Sequence, residues 1–224
     1  MIKIFAHRGY NIDGTRENSV KALDLAFKNN FAGIEFDLHY INNQWIVIHD
    51  APDPENLQNL DKFDEFLKYQ NNMLYWLDFK NLQDLGQEDL QKALLALKNS
   101  ITKSRCNLEQ FYFAPFITDF NKAEKIYKKI RAIISEDAKI MAVCNEIEPS
   151  EYKNYYLRLV SQNIQYLSIK HNFITKDLIE IFQNIDLFAW TVNDLSDARK
   201  FVQEFGIENF TTDNITAKKF SENE

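Results

Sequence analysis

Short apolar runs rich in β-branched and aromatic residues alternate along this chain with longer stretches whose apolar residues recur every three or four positions. The runs are Ile2–Ala6, Gly33–Leu38, Met73–Phe79, Gln110–Ala114, Lys139–Val143, Tyr166–Ile169, Leu187–Val192 and Asn209–Thr212. Polar residues bound most of them, as expected for parallel strands buried on both faces. A further extended run, Gln44–His49, follows Asn42-Asn43, which predicts a tight turn after the second strand.

Helical spacing fills the intervals. Asn18–Lys28 sets Val20, Leu23, Ala26 and Phe27 on one face, and Asp89–Leu97 does the same with Leu90, Ala93, Leu94 and Leu97. Phe120–Ile134, Pro149–Val160 (with Tyr152, Tyr155 and Tyr156 on one face), Asp177–Phe182 and Leu195–Phe205 repeat the pattern. Eight strands, each followed by a helix or short connection, predict an α/β fold, the closed (β/α)8 TIM barrel. A doubly wound open sheet competes, but its usual Gly-rich first turn is missing.

Composition narrows the function classes. The chain has 224 residues, 45% hydrophobic and 26% charged, enough for one barrel domain over 1–224 with a sizeable core. Five glycines and four prolines exclude collagen-like and linker-like chains. Two cysteines, Cys106 and Cys144, exclude a disulfide scaffold and read as buried thiols in a reducing compartment. A net charge of −7 argues against a nucleic-acid partner, since duplex binding needs a basic face. No run approaches the ~20 apolar residues of an integral membrane segment, and the first residues lack a signal-peptide pattern. A cytoplasmic location is the expectation; the oligomeric state stays open.

Barrel enzymes keep their chemistry where strands end. His7-Arg8-Gly9 closes the first strand. Glu35 and Asp37 lie two apart on the second and so point the same way, His49-Asp50 ends the extended run, and Asp78 and Lys80 end the next strand. Either piece alone has a bland explanation, a hydrogen-bonded histidine or a solvated strand face. Together, three carboxylates inside a barrel would repel one another without a cation. One hard divalent ion, Mg2+ or Ca2+, would relieve that repulsion.

The series His7-Arg8-Gly9, Glu17-Asn18-Ser19, Glu35-Phe36-Asp37 and His49-Asp50 resembles the glycerophosphodiester phosphodiesterase family, whose pattern is HRG, EN(T/S), ExD and HD. Ala189-Trp190-Thr191-Val192-Asn193 resembles its WTVN strand, and Gly206 followed by Thr211-Thr212-Asp213 its closing segment. The resemblance runs from Ile2 to about Ile215; between Asn81 and Asp186 it is one of strand–helix rhythm only. It implies a barrel that hydrolyses small-molecule glycerophosphodiesters to glycerol 3-phosphate and an alcohol. It further implies that Glu35, Asp37 and Asp78 bind one divalent cation. His7 and His49 would act as general acid and base, with Arg8 and Lys80 on the phosphate. In the family the nucleophile is thought to be the substrate's own glycerol hydroxyl, giving a cyclic phosphate that water opens.

Two departures stand out. The family usually has Glu-x-Lys where this chain has Asp78-Phe79-Lys80, although the related spider-venom sphingomyelinase D proteins look like Asp-x-Lys here. Only residues 51–77 separate Asp50 from Asp78, where the family commonly carries a longer cap. Asp53–Asn72 reads as a turn and one short helix with Leu60, Phe63, Phe66 and Leu67 on its apolar side, so a truncated cap insertion is expected. An open mouth leaves two alternatives: the same site acting on a lysophospholipid or polymer-linked phosphodiester, or a non-catalytic barrel binding a phosphorylated ligand. Trp190 either walls the substrate pocket or packs the barrel. Glu17, placed with Trp190 at the substrate pocket, and Asn18 either orient active-site side chains, or Asn18 caps the first helix with Glu17 solvated. His39 continues the Glu35/Asp37 side toward the metal or supports it from behind. His171, beside Lys170, is either an anion contact or a surface pair.

Overall fold

The structure, a computed structural model, describes residues 1–52, 54–69, 73–117 and 119–222. β1 (Lys3–Ala6) pairs in parallel with β2 (Gly33–Ile41). β3 (Gln44–Val47) folds back antiparallel onto β2 through Asn42 and Asn43, both at positive φ. Two such residues twist a two-residue hairpin loop the way its strands twist. β4 (Leu74–Phe79), β5 (Phe111–Pro115), β6 (Lys139–Cys144), β7 (Tyr166–Lys170), β8 (Asp186–Trp190) and β9 (Asn209–Thr212) follow in parallel. β9 returns to β1, so eight parallel strands close into a barrel with β3 as an outlying hairpin strand. The expected TIM barrel is the observed fold.

The connections supply the outer layer: α1 (Val20–Lys28), α2 (Phe63–Phe66), α3 (Gln87–Ser104), α4 (Phe120–Ile133), α5 (Tyr152–Ser161), α6 (Lys176–Ile181), α7 (Leu195–Phe205) and α8 (Ala217–Ser221). α3 outruns its predicted span because Ile101 continues the buried face past Leu97, and Arg105 at φ +62 stops it. The run Pro149–Val160 splits into a 3-10 turn at Pro149–Glu151 and α5. In place of a long cap the chain makes a 3-10 turn at Pro54–Asn59 and then α2, whose Phe63 and Phe66 pack on Phe36 at ring distances of 6.1 and 4.8 Å. Asp53 and residues 70–72 of that expected insertion lie outside the described residues.

Strand alternation sorts the side chains into two cores. Ile4, Ala6, Ile34, Phe36, Leu38, Tyr75 and Leu77 face outward into the layer beneath the helices. Phe5, Trp76, Tyr112, Met141 and Phe188 face inward and meet in the lumen, with Phe5 5.9 Å from Trp76, 6.1 Å from Tyr112 and 5.8 Å from Phe188. The barrel is therefore a packed plug rather than a pore. The next inward residue up each strand sits above that plug. In this way a two-residue period delivers His7, Glu35, Asp37 and Asp78 to one floor.

Candidate active site

Asp37 and Asp78 are direct partners in the β2–β4 register, which sets their carboxylates side by side. Glu35 is one inward position below Asp37. One oxygen of each of the three lies within 4.8 Å of the others. A cation ligated by oxygen at about 2.0–2.6 Å spans such a set. Asp78 Oδ1 is buried without a hydrogen-bond partner, an orphan acceptor of the kind a metal would satisfy. The residues present fit a divalent ion.

Two cations hold the charge in balance. Lys80 Nζ bridges Asp37 Oδ1 at 2.8 Å and Asp78 Oδ2 at 2.7 Å. Arg8 reaches Glu17 at 3.0 Å through one terminal nitrogen, and its Nε stands 3.2 Å from Asp37 Oδ2. Gly9 lets the Arg8 turn close, because at φ +82 it lies where a Cβ would come within 2.6 Å of the Ala22 Cβ. The Arg8 backbone N–H in that turn donates to Glu35 Oε2 at 2.9 Å.

Electrostatics separate the three acids. Burial, reinforced by the Asp37 charge, pushes Glu35 up to about 8. Burial also raises Asp78, to about 6, with Lys80 pulling against it. Asp37 is equally buried, yet the Lys80 ammonium, the Asn18 amide and Arg8 hold it below the usual carboxylate range. The cluster is one firm anion, Asp37, beside two acids that burial raises, Glu35 the further.

The two predicted histidines flank this floor. His7 Nδ1 is 2.8 Å from Asp213 Oδ1, and its Nε2 stands 4.0 Å from Glu35. Burial alone would lower the His7 pKa; the Asp213 bond and the Glu35 charge outweigh it, and it is raised. His49 is more open, with Nδ1 2.7 Å from Asp50. His39 lies behind it, donating from Nε2 to the His49 carbonyl at 3.0 Å, and stands apart from the Glu35, Asp37 and Asp78 cluster.

A cavity of about 410 Å3 opens over this floor, and His7, Arg8, Glu35, Asp37, His49, Asp78 and Lys80 all line it. Trp190 lines it too while packing on the lumen plug. Glu17 is not among the residues lining it but contacts Arg8, which is, the orienting contact that was one of its two readings. His171 is also outside, donating to the Trp190 carbonyl at 3.3 Å.

Solved structures share this architecture. A glycerophosphodiester phosphodiesterase from Parabacteroides distasonis aligns with TM-score 0.73 and 18% identity, over 94% of this chain and 92% of that one. A putative glycerophosphoryl diester phosphodiesterase from Silicibacter pomeroyi gives 0.76 and 13%, over 95% and 90%. An Oleispira antarctica phosphodiesterase, solved in complex with the product sn-glycerol-3-phosphate, gives 0.71 and 17%, over 94% and 92%. The barrel is the fold these phosphodiesterases share. No protein-family model matches the chain, and no curated protein matches it in sequence.

Of the two readings of Asn18, the helix cap is not the one that forms: Ser19 caps, accepting from the Ala22 N–H at 3.1 Å. Asn18 instead grips Asp37 twice, its amide donating to Oδ2 at 2.8 Å and its carbonyl accepting the Asp37 N–H at 3.1 Å. Asp213 holds His7, and Asn193 holds Asp213 by donating to Oδ2 at 2.5 Å and accepting from its backbone N–H at 2.8 Å. Asp213 and Asn193, which had no role in the sequence reading, stand inside the segments that carried the family resemblance. That was the available signal.

Proposed function

We propose that this protein is a metal-dependent phosphodiesterase that hydrolyses glycerophosphodiesters to glycerol 3-phosphate and an alcohol. The observation that carries the reading is the convergence of two histidines, two cations and three clustered carboxylates on one cavity, in the fold of glycerophosphodiester phosphodiesterases. The product named for the Oleispira antarctica structure supports the choice of substrate class.

Glu35, Asp37 and Asp78 hold one divalent cation, Mg2+ or Ca2+. Bound there, the ion supplies positive charge toward a phosphate oxygen. Arg8 and Lys80 take up the rest of the phosphate charge as it grows in the transition state. His7 and His49 divide the proton work: one takes the proton of the attacking hydroxyl, and the other gives a proton to the departing alkoxide as its P–O bond breaks. Each ring is held through Nδ1 by a carboxylate, which leaves Nε2 as the working atom. Asp213 is the stiffer holder because Asn193 clamps it, so it acts as a positioning residue for His7. Trp190 walls the substrate.

Replacing either histidine separates this role from folding and metal binding. His7→Ala and His49→Ala are each expected to keep the melting temperature and the divalent-ion affinity while losing at least ~10²-fold in turnover. Wild-type turnover in either variant would remove that histidine from the mechanism.

A further inference from the structure

A groove of about 600 Å3 lies on the outside of the barrel, between α4 and the segment that leads from β4 into α3. It shares no lining residue with the reaction cavity. Leu82, Leu90 and Ile126 are buried in its floor, and Leu85 is half-buried beside them. Along one edge Lys122, Lys125 and Lys129 recur at helical spacing with Ala132, and Lys128 flanks them. The stripe from Lys122 to Ala132 is about 15 Å long at the α-helical rise. The other edge, Gln83 and Gln87, is neutral.

Charge sets this groove apart. The chain carries −7 overall, yet α4 holds five basic residues against one acid, Glu124. All four groove lysines are exposed, and among the described residues none of their ammonium groups has a partner. Elsewhere exposed lysines such as Lys68 and Lys218 sit on a carboxylate. The acids of the first turn of α3, Glu88 and Asp89, are taken by Lys92, and no described carboxylate lines the groove. Four like charges side by side repel one another, and an anion laid along them relieves that repulsion.

We propose that this groove docks an acidic amphipathic helix of a partner protein, with apolar side chains on the leucine floor and carboxylates against the α4 lysines. Recess and charge together select that occupant. The floor lies below the lysine rim, where a flat bilayer does not reach but the side chains of a helix do. A nucleic acid would meet the lysines, leave the apolar floor uncovered and work against a net charge of −7. A helix of about three turns spans the stripe, with acids three and four residues apart to match the lysines. The surface goes beyond the phosphodiesterase reading and does not depend on it.

The test titrates the full chain with a capped synthetic helix of about 15 residues, Leu three and four positions apart and Glu beside them, read by calorimetry. Expected is saturable binding that weakens at least about tenfold between about 0.05 and 0.5 M salt. A loss of at least about tenfold is expected in the protein carrying Lys122→Glu, Lys125→Glu and Lys129→Glu, at an unchanged melting temperature. Should that protein fail to fold, Lys125→Gln with Lys129→Gln is read in its place, with a loss of at least about threefold. A peptide with Gln in place of Leu addresses the floor and should also bind at least about tenfold more weakly. Absence of saturable peptide binding overturns the proposal, as does binding indifferent to the lysine substitutions or to the loss of Leu. Phosphatidylglycerol vesicles that bind the wild type, but not the lysine variant, while the peptide does not bind would overturn it in favour of a membrane surface.

Discussion

The two halves of the barrel mouth are built from the same pleat but differ in charge. From β1 to β4 the inward strand-end residues are His7, Glu35, Asp37, Asp78 and Lys80, with Arg8 beside them. From β5 to β9 the cavity-lining residues are Phe116, Val143, Asn145, Ser168, Trp190 and Thr211, with no formal charge among them, and the one acid that reaches across from this half is Asp213, just past β9, which holds His7. One half gathers opposite charges that burial would forbid singly, and each is kept in place by another. The other half offers mostly neutral walls, and the barrel permits such a contrast because each strand end is an independent position.

The division can be broken on the charged side first. Asp78→Asn and Glu35→Gln remove one cation ligand each and should weaken Mg2+ or Ca2+ binding at least ~10²-fold, read by titration calorimetry. Wild-type affinity in both would detach the cluster from metal binding. Asp213→Asn keeps the shape but loses the charge that orients His7. A fall of roughly 10- to 100-fold in kcat, with KM and melting temperature nearly unmoved, is expected. An equal loss of stability would make Asp213 a structural residue. On the neutral side, Ser168→Ala should change the rate by no more than about threefold, the scale of a peripheral substitution. A loss as large as that of Asp213→Asn would erase the contrast between the halves.

A pH effect sharpens the same contrast. In the metal-free fold Glu35 titrates at about 8 against 4.5 for an ordinary glutamate, and Asp78 at about 6 against 3.8. The folded chain thus binds more protons than the unfolded chain between those limits, so stability falls as pH rises through the window. His7, also raised, acts in the same direction above pH 6.5. The depressed Asp37 and Asp213 cost stability only as acid protonates them, below the window. The melting temperature of the chelated protein should therefore decline between about pH 5 and 8, and saturating divalent cation should flatten that decline. A pH-independent melting temperature in chelator would contradict the buried-acid description.

Much of this was legible in the residues because strands announce themselves by composition and the pleat is strictly periodic. Glu35/Asp37 and Asp78/Lys80 share a face by spacing alone, and the helix after His7-Arg8-Gly9 was visible in Val20, Leu23 and Ala26. What stayed hidden were contacts across long sequence separations. Nothing local shows that Asp213 meets His7, 206 positions away, or that Asn18 serves Asp37 rather than its own helix.

The most direct measurement is the release of glycerol 3-phosphate from glycerophosphoglycerol and from glycerophosphocholine, with Mg2+, with Ca2+ and with excess chelator. Release that depends on one of the ions, stops on chelation and returns on adding the ion back is the result expected of a cation held by Glu35, Asp37 and Asp78. Release at the same rate in chelator, or none under any condition, would contradict the assignment of this cavity as a metal-dependent phosphodiesterase site.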